Sequence, residues 1–324
     1  YIAKSPDIFL AGKAQLPEGL IPYIDLIVSI VAKTVTNDRA SESECRYALS
    51  LFMGLLHNCT GKIDMYIPII NEISLGKLGQ QVNEEVPLTR ISIYQILGSA
   101  LYYNPQLELV ELEKRGVTQQ VFAKWMKDAE GMDRWLPRKM TVLGLSALLT
   151  IPTPSLPPSI AAAVPQLIDS VVRMSIALKE EAEKGETEAK DENITDDSGA
   201  NEDVGDVDKG FAEDEDVTNE VDESYRKALQ GVTSWDDDMA KFLLAGDWDE
   251  GEDVDEDFTS PLDRVDELLF LSDTLSAAFQ REPEVYQQIQ AAMPPEAVTN
   301  CQRLFHAAES IRAQAAHQST QQSQ

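Results

Sequence analysis

Apolar positions along this chain recur mostly at intervals of three and four, the spacing of one buried face on an α-helix. Between Leu20 and Val35, Ile21, Ile24, Leu26, Ile27, Val28, Ile30 and Val31 predict a helix with a broad buried side, broken at Asn37-Asp38. Ser41-x-x-Glu44 then reads as a capping box, Ser41 accepting from a free amide while Glu44 reaches back. Behind it Ala48, Leu49, Phe52, Leu55 and Leu56 predict a helix that stops near Gly61. Ile63–Leu78 is its partner, bent or offset by Pro68. Pro87–Tyr103 predicts a further helix, stopped at Asn104-Pro105. Leu107–Lys114, Thr118 to about Ala129, and Arg138–Leu149 (opened by Pro137) follow, and Pro152, Pro154, Pro157 and Pro158 make a stiff connection to Ser159–Leu178. After Ser260-Pro261 the helical spacing returns, through Val265–Phe279, a short stretch Glu284–Ala292, and Pro295 to about Ala315.

No segment alternates at period two, and nothing resembles a hairpin turn. Helix pairs opening at Ser41, Pro87 and Arg134 recur every 46 to 47 residues, the period of HEAT-type arrays. Each pair is too small to bury its own face, so stacked neighbours supply the core. The predicted fold class is therefore all-α. It consists of an α-solenoid of HEAT-type repeats over 1–178, a long, mostly disordered acidic segment over 179–258, a C-terminal helical cap packed on the solenoid over 259–315, and a disordered tail over 316–324. The chain starts at Tyr1, within sequence of helical character, and reads as a piece of a longer protein.

Charge changes this picture most. Residues 179–258 hold 31 Asp/Glu against 7 Lys/Arg, a net of −24 in a chain whose formal charge is −29. Such a block repels itself and buries too little apolar surface to offset its ordering entropy. Like-charge blocks are commonly solvated linkers; the sharper reading is a tether for a basic partner. The residues assigned to cargo binding are Asp214, Glu215, Asp216, Trp235, Asp236, Asp237, Asp238, Trp248, Asp249, Glu250, Glu252, Asp253, Asp255, Glu256 and Asp257. Phe211, Trp235, Phe242, Leu243, Leu244, Trp248 and Phe258 are apolar islands that either dock on a surface or are merely scattered. A pI near 4.3 argues against direct nucleic-acid binding, because phosphates need Lys/Arg to neutralise them. The apolar run Leu20–Val31 is interrupted and too short for membrane insertion.

Chemistry is sparse. Cys45, Cys59 and Cys301 lack metal-site spacing and read as reduced thiols, and the triplets at Asn58 and Asn193 read as chance. His57 near Cys59 reads as a core or capping histidine, since no third orienting group is legible. Residues 253–257 are calcium-like in composition alone, and no phosphate-cradling glycine motif is present. No catalytic, cofactor or metal site is predicted, and the chain does not read as an enzyme.

Several local motifs, in order, resemble a known family: Gly61-Lys62-Ile63-Asp64, Ala100-Leu101-Tyr102-Tyr103-Asn104-Pro105, Lys124-Trp125 and Arg138–Leu148, then the acidic run, Ser260-Pro261-Leu262-Asp263, and Phe279-Gln280-Arg281-Glu282 with Tyr286. Together they resemble the C-terminal third of the importin-β superfamily, in its importin-seven/eight branch, from about Ser43 to Ala315. The resemblance implies a HEAT-superhelix nuclear transport receptor shuttling between cytoplasm and nucleus. It implies basic cargo (ribosomal proteins, histones), Phe-Gly nucleoporins, and release by Ran-GTP bound mainly through N-terminal repeats that this chain lacks. Ile151-Pro152-Thr153-Pro154 departs from a regular array and puts the local helix geometry in question. Two other readings stay open: an acidic chaperone or scaffold that does not shuttle, and an autoinhibitory run that occupies the groove.

Overall fold

The computed structural model describes residues 2–17, 19–80, 87–192 and 260–322, with only the backbone path for 185–192 and 318–322. All fifteen residues assigned to cargo binding, Asp214–Asp257, lie outside the described residues. Two compact units divide the chain, 1–188 with 258–324, and 189–257; nearly every described residue belongs to the first.

That unit is helical, with one exception. After α1 (Pro6–Ala11), β1 (Lys13–Leu16) and β2 (Gly19–Pro22) pair antiparallel, Leu16 opposite Gly19. This hairpin corrects the expectation of no strand. It also moves the start of α2 (Tyr23–Val35) from Leu20 to the residue after Pro22. The strands are four residues each, too short for a periodic signal, and their turn lacks the Asn-Gly or Asp-Gly pair that marks most hairpins. Gly19 takes φ of 128°, a backbone region that residues with a Cβ rarely enter.

The helices then follow the apolar spacing. They are α3 (Glu42–Asn58), α4 (Ile67–Gln80), α5 (Leu88–Tyr103), α6 (Pro105–Arg115), α7 (Thr118–Ala129) and α8 (Trp135–Leu148). Residues Ser41, Pro87 and Arg134, 46 and 47 apart in sequence, are the N-caps of α3, α5 and α8. The capping box closes as its sequence implies, with Ser41 N donating to Glu44 Oε2 (2.6 Å) and Glu44 N donating to Ser41 Oγ (3.2 Å). A 3-10 turn (Asp64–Tyr66) precedes α4, so Pro68 falls in that helix's first turn, where its missing N–H has no intrahelical acceptor to lose. Two helices outrun their expected ends. The helix expected over Ser159–Leu178 is α9, Pro158–Glu192, and the one expected to fray at Ala316 is α12, Pro295–Gln322. Residues 179–192 and 316–322 are therefore helical. Strong helix formers (Lys, Glu, Ala, Gln) dominate both extensions, and local propensity sustains a helix there that needs no buried face.

Helices α2, α3, α5, α8 and α10 (Glu267–Arg281) pack side by side in that order, while α4 and α6 cover α5. By length and composition Pro158–Lys184 of α9 would suffice to cross a membrane, but Ile160, Val164, Leu167, Ile168, Val171 and Val172 are sunk in the common core. The tightest contact is between α5 and α8. A Cβ placed on Gly98 would stand 2.5 Å from the Met140 carbonyl oxygen, and one on Gly144 would stand 2.5 Å from Gly98 Cα. Backbone thus meets backbone, and every residue of α8 from Leu136 to Leu148 is buried.

The C-terminal helices seal the far end. The Arg281 guanidinium, at the end of α10, donates to the carbonyls of Leu149 (2.9 Å), Thr150 (3.1 Å) and Ile151 (3.2 Å), in the turn that follows α8. Glu282 accepts from the Thr153 amide (3.1 Å), and α11 (Pro283–Ala292) follows. The proline link that departs from a regular array is therefore fixed by the Arg281-Glu282 motif.

Gly98→Ala or Gly144→Ala is expected to destabilise the chain by about 1–3 kcal/mol or more, because the obstructing atoms are backbone and cannot rotate aside. Gly54→Ala, in α3 with nothing within 4 Å of its new Cβ, should stabilise by up to about 1 kcal/mol. Urea unfolding midpoints of the three variants check this ordering.

Candidate functional site

The described residues that flank the acidic run, in α9 on one side and from Ser260 on the other, are both anchored on α8. On the outgoing side, Arg138 Nη1 donates to both carboxylate oxygens of Glu181, at 2.6 and 2.8 Å. On the returning side, Lys139 Nζ lies 3.5 Å from the Glu267 carboxylate, donates to the Asp263 carbonyl (3.5 Å), and sits 4.6 Å over the Trp135 ring. Adjacent residues of one helix thus hold the two roots. Both cations are nearly enclosed, Arg138 8% and Lys139 2% exposed, so each needs an anionic or carbonyl partner to offset lost hydration. The acidic side chains at the roots supply those partners.

The return is pinned a second time by a buried polar chain. Ser260 opens a 3-10 turn (Pro261–Arg264) with its own capping box: Ser260 N donates to Asp263 Oδ2 (2.7 Å), and Leu262 N donates to Ser260 Oγ (3.1 Å). His57, from the last turn of α3, lies between Ser260 Oγ at Nδ1 and Ser99 Oγ at Nε2, both 2.7 Å away. Ser99 directs its proton to the Gln95 carbonyl (2.7 Å). That order makes His57 a neutral imidazole that donates through Nε2 and accepts at Nδ1 from Ser260. Burial pushes its pKa down to about 4. Leu262 completes the root by packing against Leu136, Met140 and Leu143 of α8.

His57 is thus a core histidine, as its place at the end of an apolar helix suggests. Its partner, however, is 203 residues away, and no local spacing announces Ser260. Cys45 and Cys59 are buried free thiols that burial pushes above the usual thiol range, Cys301 is half-buried, and the described residues gather no group of three metal-ligating side chains. The open surfaces among the described residues include a cavity and a groove. An apolar cavity of about 400 Å³ lies among α9 to α12, walled by Ile168, Leu275, Phe279, Ile289, Met293 and Phe305. A groove between α7 and α9 has Phe122, Met126 and Leu167 on its floor and Lys127 and Glu130 at its rim.

No family model matches the chain, and no solved structure matches it. Among curated proteins it is 26% identical to human importin-8 over 90% of its length, covering 28% of that protein. To zebrafish importin-8 it is 32% identical over 48% of its length, covering 16%. To a probable importin-7 homolog of Dictyostelium discoideum it is 22% identical over 89%, covering 30%. The chain therefore spans less than a third of these relatives. The relatives it matches along most of its length are importins of the importin-7 and importin-8 kind.

Since the folded pKa of His57 is depressed, its contribution to stability is complete above pH 6.5 and is lost as pH falls toward 4. Ser260→Ala should lower the unfolding free energy by about 1–3 kcal/mol at pH 7, measured in urea. A second expectation concerns the roots. If a protease site is inserted between Gly199 and Ala200 and cut, the two pieces should still co-elute on gel filtration, whereas separate peaks would show that the return is not anchored.

Proposed function

We propose that this chain is the C-terminal part of a nuclear import receptor, and that it holds basic protein cargo such as ribosomal proteins or histones. The observation that carries this reading is the relationship to importin-8 and the importin-7 homolog over about nine-tenths of the chain. The helices are read as HEAT-type repeats, supported by the regular spacing of the N-caps of α3, α5 and α8 and their side-by-side packing. The acidic run, including the residues from Asp214 to Asp257, acts as a multivalent anionic tether. Individual exposed ion pairs contribute about 0–1 kcal/mol each, so many must act together. Anchoring of both flanks at Arg138 and Lys139 supports a tether attached to the helical unit at each end. Phe-Gly nucleoporins are the partner class whose side chains suit the apolar cavity beside Phe279 and Phe305, and Ran-GTP acts mainly through repeats beyond this chain. The receptor shuttles between cytoplasm and nucleus.

Titration of a histone or a basic ribosomal protein into the chain and into a deletion of residues 180–257 tests the tether. Binding to the intact chain alone, weakening steeply between low and physiological salt, is expected, because the screening length falls to about 8 Å. Equal binding by both proteins would assign the cargo to the helical surface instead.

A further inference from the structure

Between α4 and α6 the core encloses a polar cluster that helix stacking does not require. Glu108, in the first turn of α6, has no exposed surface, and neither do Asn71 and Ser74 of α4. Asn71 Nδ2 donates to Glu108 Oε2 (2.8 Å). Among the described residues, the other Glu108 oxygen, the Asn71 oxygen and the Ser74 hydroxyl have no hydrogen-bond partner. As a carboxylate, Glu108 would carry a full charge against one neutral donor in a sealed seam. As a carboxylic acid it carries no charge into the seam and gains an O–H, the kind of donor that the Asn71 oxygen lacks.

The surroundings favour the acid. The charges that act on Glu108 are Arg115, which favours ionisation, and Glu111, which opposes it, both on its own helix. Arg115 is itself engaged by Glu111 (2.9 Å) and by the Pro68 carbonyl (2.7 Å), and Glu111 is further engaged by Lys114 (2.8 Å). From α4 the facing groups are the neutral Asn71 and Ser74, and no charge from α5, α7 or α8, which also pack on α6, acts on the carboxyl. Desolvation prevails and raises its pKa to about 7.

We propose that the α4–α6 seam is a proton-operated joint: protonated Glu108 locks α4 to α6 through Asn71, and ionised Glu108 loosens the seam and admits water. The tie from Arg115 to the Pro68 carbonyl crosses the same seam and survives ionisation, so release changes compliance without parting the helices. Because α4 and α6 both cover α5, loosening their seam softens one side of the helix row near neutral pH. The sign follows from linkage. The folded chain holds this proton more tightly than the unfolded chain, so the stabilisation is fully present below about pH 4.5 and is lost as pH rises to about 7. The joint rests on the helical packing and stands apart from the transport reading.

Amide hydrogen exchange of the whole chain at pH 6 and pH 8, corrected for intrinsic rates, tests it. Opening of α4 and α6 amides should be about tenfold more populated at pH 8 in the unmodified chain, while Glu108→Gln should show the same protection at both pH values. Equal pH dependence in the two proteins would overturn the proposal. The ¹³C carboxyl resonance of Glu108 in the unmodified chain gives a reading that needs no variant: titration near 7 supports the joint, and titration near 4.5 refutes it.

Discussion

Everything in the described unit leans on the contact between α5 and α8, where Gly98 and Gly144 let two helix backbones touch. At that separation α8 has no free side, and it is buried from Leu136 to Leu148. Two of the residues so buried are Arg138 and Lys139, whose charges must then be answered inside the structure. The answers are Glu181, near the start of the acidic run, and Glu267, beyond its end at the start of α10. A packing constraint between two glycines thus leads, through the cost of burying two cations, to the place where the most charged part of the chain is attached. The same crossing positions Ser99, beside Gly98, to receive His57 and so to hold Ser260.

The short motifs that carry the importin resemblance turn out to be places where distant segments meet. Tyr103 donates to Asp64 (2.5 Å) and accepts from the Ile63 amide (3.1 Å), joining the Gly61–Asp64 motif to Tyr102-Tyr103-Asn104. Asn104 then caps α6 by accepting from Leu107 N (3.1 Å). Trp125 stacks on Tyr94 at 5.7 Å and donates to Thr141 of the Arg138–Leu148 motif (3.2 Å). Arg281-Glu282 clasps the link after α8. These contacts are side-chain chemistry at long range, which explains why the order of motifs carried more information than the helical period alone.

Much of the helical content was legible because apolar spacing and capping are local. Ser41 with Glu44, the stop at Asn104-Pro105 and the helix openings at Pro87 and Arg134 all depend on residues within four positions of one another. What escaped was either too short or too distant. The Lys13–Pro22 hairpin is eight paired residues without a turn signature. The extensions of α9 past Leu178 and α12 past Ala315 are polar, and a search for a buried face stops where the apolar face does. The partners of His57, Arg138 and Lys139 lie up to two hundred residues away, and no spacing rule reaches them. The residues assigned to cargo binding were legible only as composition, and composition assigns a charge to a segment without assigning a geometry to any member.

Arg138 and Lys139 fix the two described flanks of the acidic run on one helix. Nitroxide labels at Lys184→Cys and Arg264→Cys, with Cys301 replaced by serine, would report the distance between the two roots by pulsed electron resonance. A single narrow distance, unchanged when a histone is added, is the expected result. A broad distribution, or one that shifts on adding the histone, would show that the roots are not held by Arg138 and Lys139 and would contradict the account.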